Sequence, residues 1–285
     1  MPEPRTFILG GELTIRRLGF GAMRLTGPGV WGEPADRQEA LAVLRRAYDL
    51  GVNFIDTADS YGPAVSEQLI AEALYPYPAD LVIATKGGTL RGGPGEWRRD
   101  GRPAHLREAV EASLRRLRRE HLDLYQLHGV DPHVSIEESL GALADMQAEG
   151  KIRHIGVCNV DEDLLERARS VATVVSVQNR YNLTERASDF LIDRCVEHGL
   201  AFIPWFPLAT GTLAAREGRL AEVARRVGAT PAQVALAWLL LRAPVVVPIP
   251  GTARVAHLEE NMGAARVELG PEEFAALAEM ARDDK

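Results

Sequence analysis

The sequence predicts an α/β chain folded as a (β/α)₈ TIM barrel with an N-terminal β-hairpin, on three observations. Eight short apolar runs, at 18–22, 52–56, 81–85, 122–127, 154–158, 173–178, 200–204 and 245–249, alternate with segments of helical periodicity. Several runs are almost continuously apolar, as strands buried on both faces of a parallel sheet are. The 285 residues, 46% of them hydrophobic, supply one large core, and barrels of this length commonly form one domain, here 1–285.

Each element has a local reason. Phe7-Ile8-Leu9 and Leu13-Thr14-Ile15 flank Gly10-Gly11, a hairpin with a glycine turn. Asp36 is placed to cap a helix with Leu41, Leu44 and Tyr48 on one face and Gly51 just past its end. Leu106, Val110, Leu114 and Leu117 form a second stripe; Leu140, Leu143 and Met146, stopped by Gly150, form a third. Further helices are expected near 161–170, 187–198, 218–227, 231–242 and 271–282, with Pro231 suited to a first helical position. The Gly-rich segment 87–95 reads either as a mobile loop over the barrel mouth or as a linker. A doubly wound open sheet would favour Gly-x-Gly-x-x-Gly after the first strand. The chain has Gly19-Phe20-Gly21-Ala22-Met23-Arg24 there, without the third glycine, and it has no Walker-type lysine loop.

A formal charge of -7, from 33 basic and 40 acidic residues, argues against nucleic-acid and membrane-surface partners. The cluster Arg115-Arg116-Leu117-Arg118-Arg119 reads as a solvated helix face, since no aromatic residues are interleaved. The two cysteines, Cys158 and Cys195, fit a reducing compartment rather than a disulfide framework. The N-terminus carries no signal pattern and no apolar run is long enough to span a bilayer. A cytoplasmic protein is expected.

Polar residues recur where the strands run out: Asp56, Lys86, His128, Cys158-Asn159, Gln178, Trp205 and the Gly251-Thr252 turn, with Tyr61 in the first of the turns. Singly, each has a plain explanation as a turn cap, a snorkelling cation, a satisfied core histidine or loop packing. Together they fall at the C-terminal mouth, where a barrel gathers its catalytic groups. An acid, a phenol, an amine and an imidazole suit proton transfer, because a phenol is a poor acid at neutral pH until its surroundings tune it.

Several segments then carry a resemblance. Asn53-Phe54-Ile55-Asp56-Thr57-Ala58-Asp59-Ser60-Tyr61-Gly62 resembles the signature of the aldo-keto reductases. Asp123 to His128, Gly156-Val157-Cys158-Asn159, Val177 to Asn182, and Ile249-Pro250-Gly251-Thr252 followed by Leu258-Glu259-Glu260-Asn261 resemble their later segments. The likeness runs from about residue 7 to 262. It implies a barrel that binds NADP(H) without a Rossmann domain, reduces a small carbonyl substrate and uses no metal. Tyr61 would be the general acid, Lys86 would lower its pKa, Asp56 would hold Lys86, and His128 would orient the carbonyl.

By position, Asn159 and Gln178 would hold the nicotinamide carboxamide beside Cys158, and Trp205 would stack on the ring, leading into Phe206, Pro207 and Leu208. Gly21, Ala22 and Met23 would pass the nicotinamide ribose; Gly251, Thr252 and Arg254 would meet the 2′-phosphate; Glu260 and Asn261 would face the adenine. Met23, Trp31 and Trp97 are the expected substrate-pocket walls. Cys158 stands where the family commonly has serine, and Trp205 where tyrosine is usual. Gly129-Val130-Asp131 departs from many relatives at the pocket rim. The overall pattern looks closest to bacterial reductases of the pyridoxal-reducing kind, which makes pyridoxal a candidate substrate. An alcohol or sugar dehydrogenase working in reverse, or a cofactor-binding regulatory subunit, is the alternative. A monomer is the default expectation.

Overall fold

The computed structural model describes residues 6–209 and 218–280. A two-stranded antiparallel pair comes first, β1 (Thr6–Leu9) with β2 (Leu13–Arg16). A seven-stranded parallel sheet follows: β3 (Phe20–Gly21), β4 (Phe54–Asp56), β5 (Val82–Gly87), β8 (Leu122–Leu127), β9 (Ile152–Cys158), β10 (Val174–Gln178) and β11 (Ala201–Phe202). They are hydrogen-bonded in that order. Between β5 and β8 lies a second antiparallel pair, β6 (Thr89–Gly93) with β7 (Glu96–Arg99).

The expected run 245–249 is not a strand, yet its backbone meets both edges of the sheet. Phe202 N–H donates to Val245 O (2.9 Å), Val247 N–H to Phe202 O (2.8 Å), and Gly19 N–H to Pro248 O (3.0 Å).

Helices fill the connections: α1 (Arg37–Asp49), α2 (Val65–Leu74), α3 (Pro103–Leu117), α4 (Ile136–Ala148), α5 (Glu162–Val171), α6 (Asp189–His198), α7 (Arg219–Val227), α8 (Pro231–Arg242), α9 (Val255–Met262) and α10 (Pro271–Ala278). Residues 281–282 of the last expected helix lie outside the described residues. Asp36 does cap α1, accepting from Glu39 N–H at 2.9 Å, and Thr230 with Gln233 forms a capping box ahead of Pro231.

The core divides in two. Leu41, Leu44, Ile55, Ile83, Leu106, Val110 and many others pack between the sheet and its helices. Leu9, Ile15, Phe54, Val82, Ala84, Leu124, Val175, Ile203, Val247 and Ile249 pack on the sheet's inner face, with Phe7 and Leu13 of the first hairpin against them.

Two expectations need correction. Residues 87–95 are neither open loop nor linker: most of them enter the β6–β7 pair, closed by Gly95 at φ +76°. The basic cluster is not simply a solvated face either. Arg116 Nε donates to the fully buried Glu67 at 2.6 Å, and Arg119 lies 4.5 Å over the Tyr77 ring.

Candidate active site

Strand alternation brings the polar residues together. Phe54 belongs to the inner core and Ile55 to the outer one, so Asp56, two residues from Phe54, turns inward. Val82 and Ala84 are inward on β5, and Lys86 continues their row; Leu124 is inward on β8, and Gln126 then His128 continue that row. Registers Asp56↔Ala84 and Lys86↔Gln126 place these ends side by side. Apolar layers below and polar groups above therefore follow from one period-two pattern read on adjacent strands. Gly156 of β9 makes room: a Cβ there would sit 3.0 Å from Gln126 Cγ and overlap Ser176 Oγ.

Lys86 and Asp56 form a fully buried pair, Nζ to Oδ1 2.5 Å, and Nζ also donates to Thr57 O at 2.7 Å. Asp56 Oδ2 accepts from Gln178 Nε2 (2.8 Å) and Gln126 Nε2 (3.2 Å), so the carboxylate has hydrogen-bond partners on both oxygens. Burial alone would lower the Lys86 ammonium, but Asp56, with Tyr61 and Cys158, outweighs it and the group stays above its ordinary value.

Tyr61 sits over this pair, with Lys86 Nζ 5.2 Å from its ring centroid and the His128 ring edge-on at 5.8 Å. Burial pushes the phenol up to about 12. Lys86 pulls it down, as expected, but does not win: the net shift is upward, because losing hydration penalises the phenolate more than one nearby ammonium favours it. His128 is held well below its usual value by burial, helped by Lys86, Arg99 and Arg91. It is therefore neutral. Its Nδ1 lies 3.2 Å from Ser60 Oγ, within hydrogen-bond distance.

These groups border a cavity of about 920 Å³. Of the expected site residues, Gly21, Met23, Asp56, Tyr61, Trp97, His128, Cys158, Asn159, Gln178, Trp205, Phe206, Pro207, Leu208, Gly251, Thr252, Arg254, Glu260 and Asn261 line it. Lys86 and Ala22 lie behind the wall, fully buried. Trp31 also stands outside the lining and contacts Arg91, whose guanidinium is 5.6 Å from its ring and 3.7 Å from that of Trp97.

The donor set suits a nicotinamide dinucleotide phosphate. Gln178 spends its N–H on Asp56, which leaves its amide oxygen to accept. Asn159, in the left-handed region at φ +57°, takes the Trp205 indole N–H at 3.0 Å and so fixes that ring at the wall. A Cβ on Gly21 would meet Ile249 O at 2.6 Å, so the backbone at 21 runs against 249–251, beside Thr252, Arg24 and Arg254. Burial drives the Cys158 thiol up to about 12, so it stays protonated, a weak donor where a serine would be a stronger one. Asp131 is not a free rim residue: it accepts from Gly101 N–H and His133 N–H, both at 2.8 Å.

Sequence reasoning overlooked Thr57, Ser60, Gln126, Arg91 and Arg99. Gln126, two residues before His128 on β8, was detectable from alternation, as was Arg99, two after Trp97 on β7. The Ser60–His128 contact and the bonds from Arg91 to Val30 and Ser60 are nonlocal and left no local signal.

With this geometry in view, comparison with known proteins defines the class. The chain matches the aldo/keto reductase family over residues 17–282, and it belongs to that family. It is 48% identical over 284 residues to the pyridoxine 4-dehydrogenase of Escherichia coli (strain K12), covering 98% of this chain and 99% of that protein. Among solved structures, it resembles a glycerol dehydrogenase from Gluconobacter oxydans (TM-score 0.89, 27% identity, 98% and 95% coverage). It also resembles an aldo-keto reductase from Klebsiella pneumoniae in complex with NADPH (TM-score 0.84, 28% identity, 99% and 96% coverage).

Proposed function

We propose that this oxidoreductase reduces aldehydes or ketones with NADPH, Tyr61 giving the proton to the carbonyl oxygen. The seat of Tyr61 carries the reading: its ring lies 5.2 Å from a buried ammonium and edge-on to a neutral imidazole, on the wall of the large cavity. When bound, the nicotinamide supplies the hydride. Asn159 and Gln178 would hold its carboxamide, Trp205 would cover the ring, and Thr252 with Arg254 would take the 2′-phosphate. His128 hydrogen-bonds the carbonyl oxygen and sets its direction. Negative charge growing on that oxygen is met by the Tyr61 O–H, while Lys86, fixed by Asp56, stabilises the phenolate left behind. Burial keeps the proton on Tyr61 until the carbonyl oxygen becomes basic enough to take it.

Pyridoxal is the substrate we favour. Support comes from the name of the 48% identical relative and from Trp97, which offers a flat ring on the cavity wall. The same residues serve oxidation of the alcohol in reverse, by microscopic reversibility. The bonds from Phe202 and Gly19 to 245–248 support a closed eight-stave barrel with the β1–β2 hairpin at its foot, as one domain over 1–285. No described helix is long and apolar enough to cross a membrane. Cys158 and Cys195 are buried free thiols, which suits a cytoplasmic home. We take the chain as a monomer.

The test is NADPH consumption across a carbonyl panel that includes pyridoxal, with NADH in parallel and Tyr61→Phe as control. We expect turnover with NADPH and its near loss in the variant, which should still bind cofactor. Cofactor binding without reduction of any carbonyl would sink the reading.

A further inference from the structure

At the catalytic end of the cavity a half-buried cation has no acid partner. Arg99 lines the wall beside Tyr61, Trp97 and His128. Its Nη1 donates to Thr89 Oγ1 and, at 2.9 Å, to the His128 carbonyl. No carboxylate pairs with it among the described residues, and Nε and Nη2 donate to none of their groups. Of the two acids on the cavity wall among the described residues, Asp56 is bound to Lys86 and Glu260, on α9, makes no ion pair with Arg99. The Arg99 Nε and Nη2 are not used by the described residues and stand on the cavity wall, so they are free to donate to an acceptor that a ligand brings.

The position of Arg99 is built. Alternation along β7 sends Trp97 and Arg99 to the cavity, while Arg98 between them is exposed. Trp97 is fixed by Arg91, 3.7 Å over its ring, which donates to Val30 O (2.6 Å) and Ser60 O (3.0 Å). Gly129 gives the Arg99 guanidinium its floor: a Cβ there would come within 2.6 Å of Cζ and 2.9 Å of Nε and Nη1. Any side chain at 129 would push the cation away from the site.

We propose that Arg99 is a specificity-determining residue that pairs with an anionic oxygen carried by the substrate beside its reacting carbonyl, Trp97 covering the substrate's planar body. The favoured class is then a flat aromatic aldehyde bearing a phenolate or a carboxylate. Pyridoxal, with an acidic ring hydroxyl next to its aldehyde, falls within it. This rests on the carbonyl-reductase reading above and adds to it which carbonyls are preferred.

The experiment compares kcat/KM, with NADPH, for 3-formylbenzoate and its neutral methyl ester, and for pyridoxal and its 3-O-methyl ether. Wild type should favour the anionic member of each pair by about ten- to a hundredfold, the worth of one charge-assisted hydrogen bond. Arg99→Gln should bring both ratios near one, and Arg99→Lys should keep part of the preference. Preference in the formylbenzoate pair alone would identify a carboxylate site, and in the pyridoxal pair alone a phenolate site. A wild type that prefers neither anion, or an Arg99→Gln protein that keeps the ratios, overturns the proposal. Should no aldehyde be reduced, the activity reading falls while the subsite is still decided, by benzoate and benzamide titrations of the NADP-bound protein followed by tryptophan fluorescence. Benzoate binding that is lost in Arg99→Gln supports the subsite; equal binding of benzoate by both proteins refutes it.

Discussion

The Lys86 ammonium lies 2.5 Å from Asp56 Oδ1, and solvent reaches neither side chain to any useful extent. Such a pair is stable only as a pair, because each charge has given up its hydration for the other. Asp56→Asn keeps the shape but removes the charge, leaving the buried Lys86 ammonium with neutral acceptors, Thr57 O among them, and replacing one accepting oxygen by an NH₂ group. We expect the variant to lose about 3–5 kcal/mol of stability in urea unfolding. Its carbonyl reduction should fall by about a hundredfold, since Tyr61 loses the fixed cation that steadies its phenolate. An Asp56→Asn protein as stable as the parent would mean that Lys86 gives up its proton cheaply.

The pH profile tests the net upward shift of Tyr61. Reduction needs the phenol protonated, and burial holds its proton up to about pH 12. His128, neutral because burial and three cations depress it, adds no break in the neutral range. Reduction should therefore stay flat from about pH 6 to 10 and decline only as pH approaches the tyrosine value. Oxidation of the alcohol needs the phenolate and should climb about tenfold per pH unit over the same range. A break in the reduction profile near neutrality would show that the net shift of Tyr61 is downward.

Arg254 stands on the cavity wall, with its backbone N–H 3.1 Å from Thr252 Oγ1. If both meet the 2′-phosphate, Arg254→Ala removes one charge-assisted contact from NADPH and none from NADH. The KM for NADPH should rise about tenfold or more while that for NADH stays put. An equal rise for both cofactors would assign Arg254 to loop structure instead.

The parts of the site that sequence revealed are those governed by short periods. Asp56, Lys86 and His128 end apolar runs, and period-two alternation explains why all three turn inward. What escaped depends on packing between distant segments or on weak local signals. Helix α2 begins after Ala64 at φ +67° without a capping side chain, and α9 has only eight residues and no side-chain cap, so neither announces its start. The β6–β7 pair was hidden by its glycines, although Trp97 and Arg99 two apart were a signal. Arg116 pairs with Glu67 across 49 positions, a distance no local pattern spans. The downward pull of Lys86 on Tyr61 was legible because their proximity follows from the strand ends, whereas the depth of burial that outweighs it was not.

Asp59, next to Ser60 in the loop after β4, carries a cost the remaining site residues do not. The residue is only partly covered, but its Oδ1 is buried and accepts no hydrogen bond. Burial, with Glu67 nearby, drives its carboxyl up to about 8, although Arg116 and Ser60 pull the other way. The raised value means that the fold favours the protonated form. Between the ordinary 3.8 and about 8, the unfolded chain releases a proton that the folded chain keeps. Stability from this group is thus fully present below the lower value and is lost as pH rises through the upper one. Asp59→Asn keeps the shape and removes the ionisation. Urea unfolding should find the variant about 1–3 kcal/mol more stable than the parent at pH 8, with the difference gone near pH 4. A variant less stable at pH 8 would mean that the Asp59 carboxylate is matched by a partner there and pays no penalty for being charged.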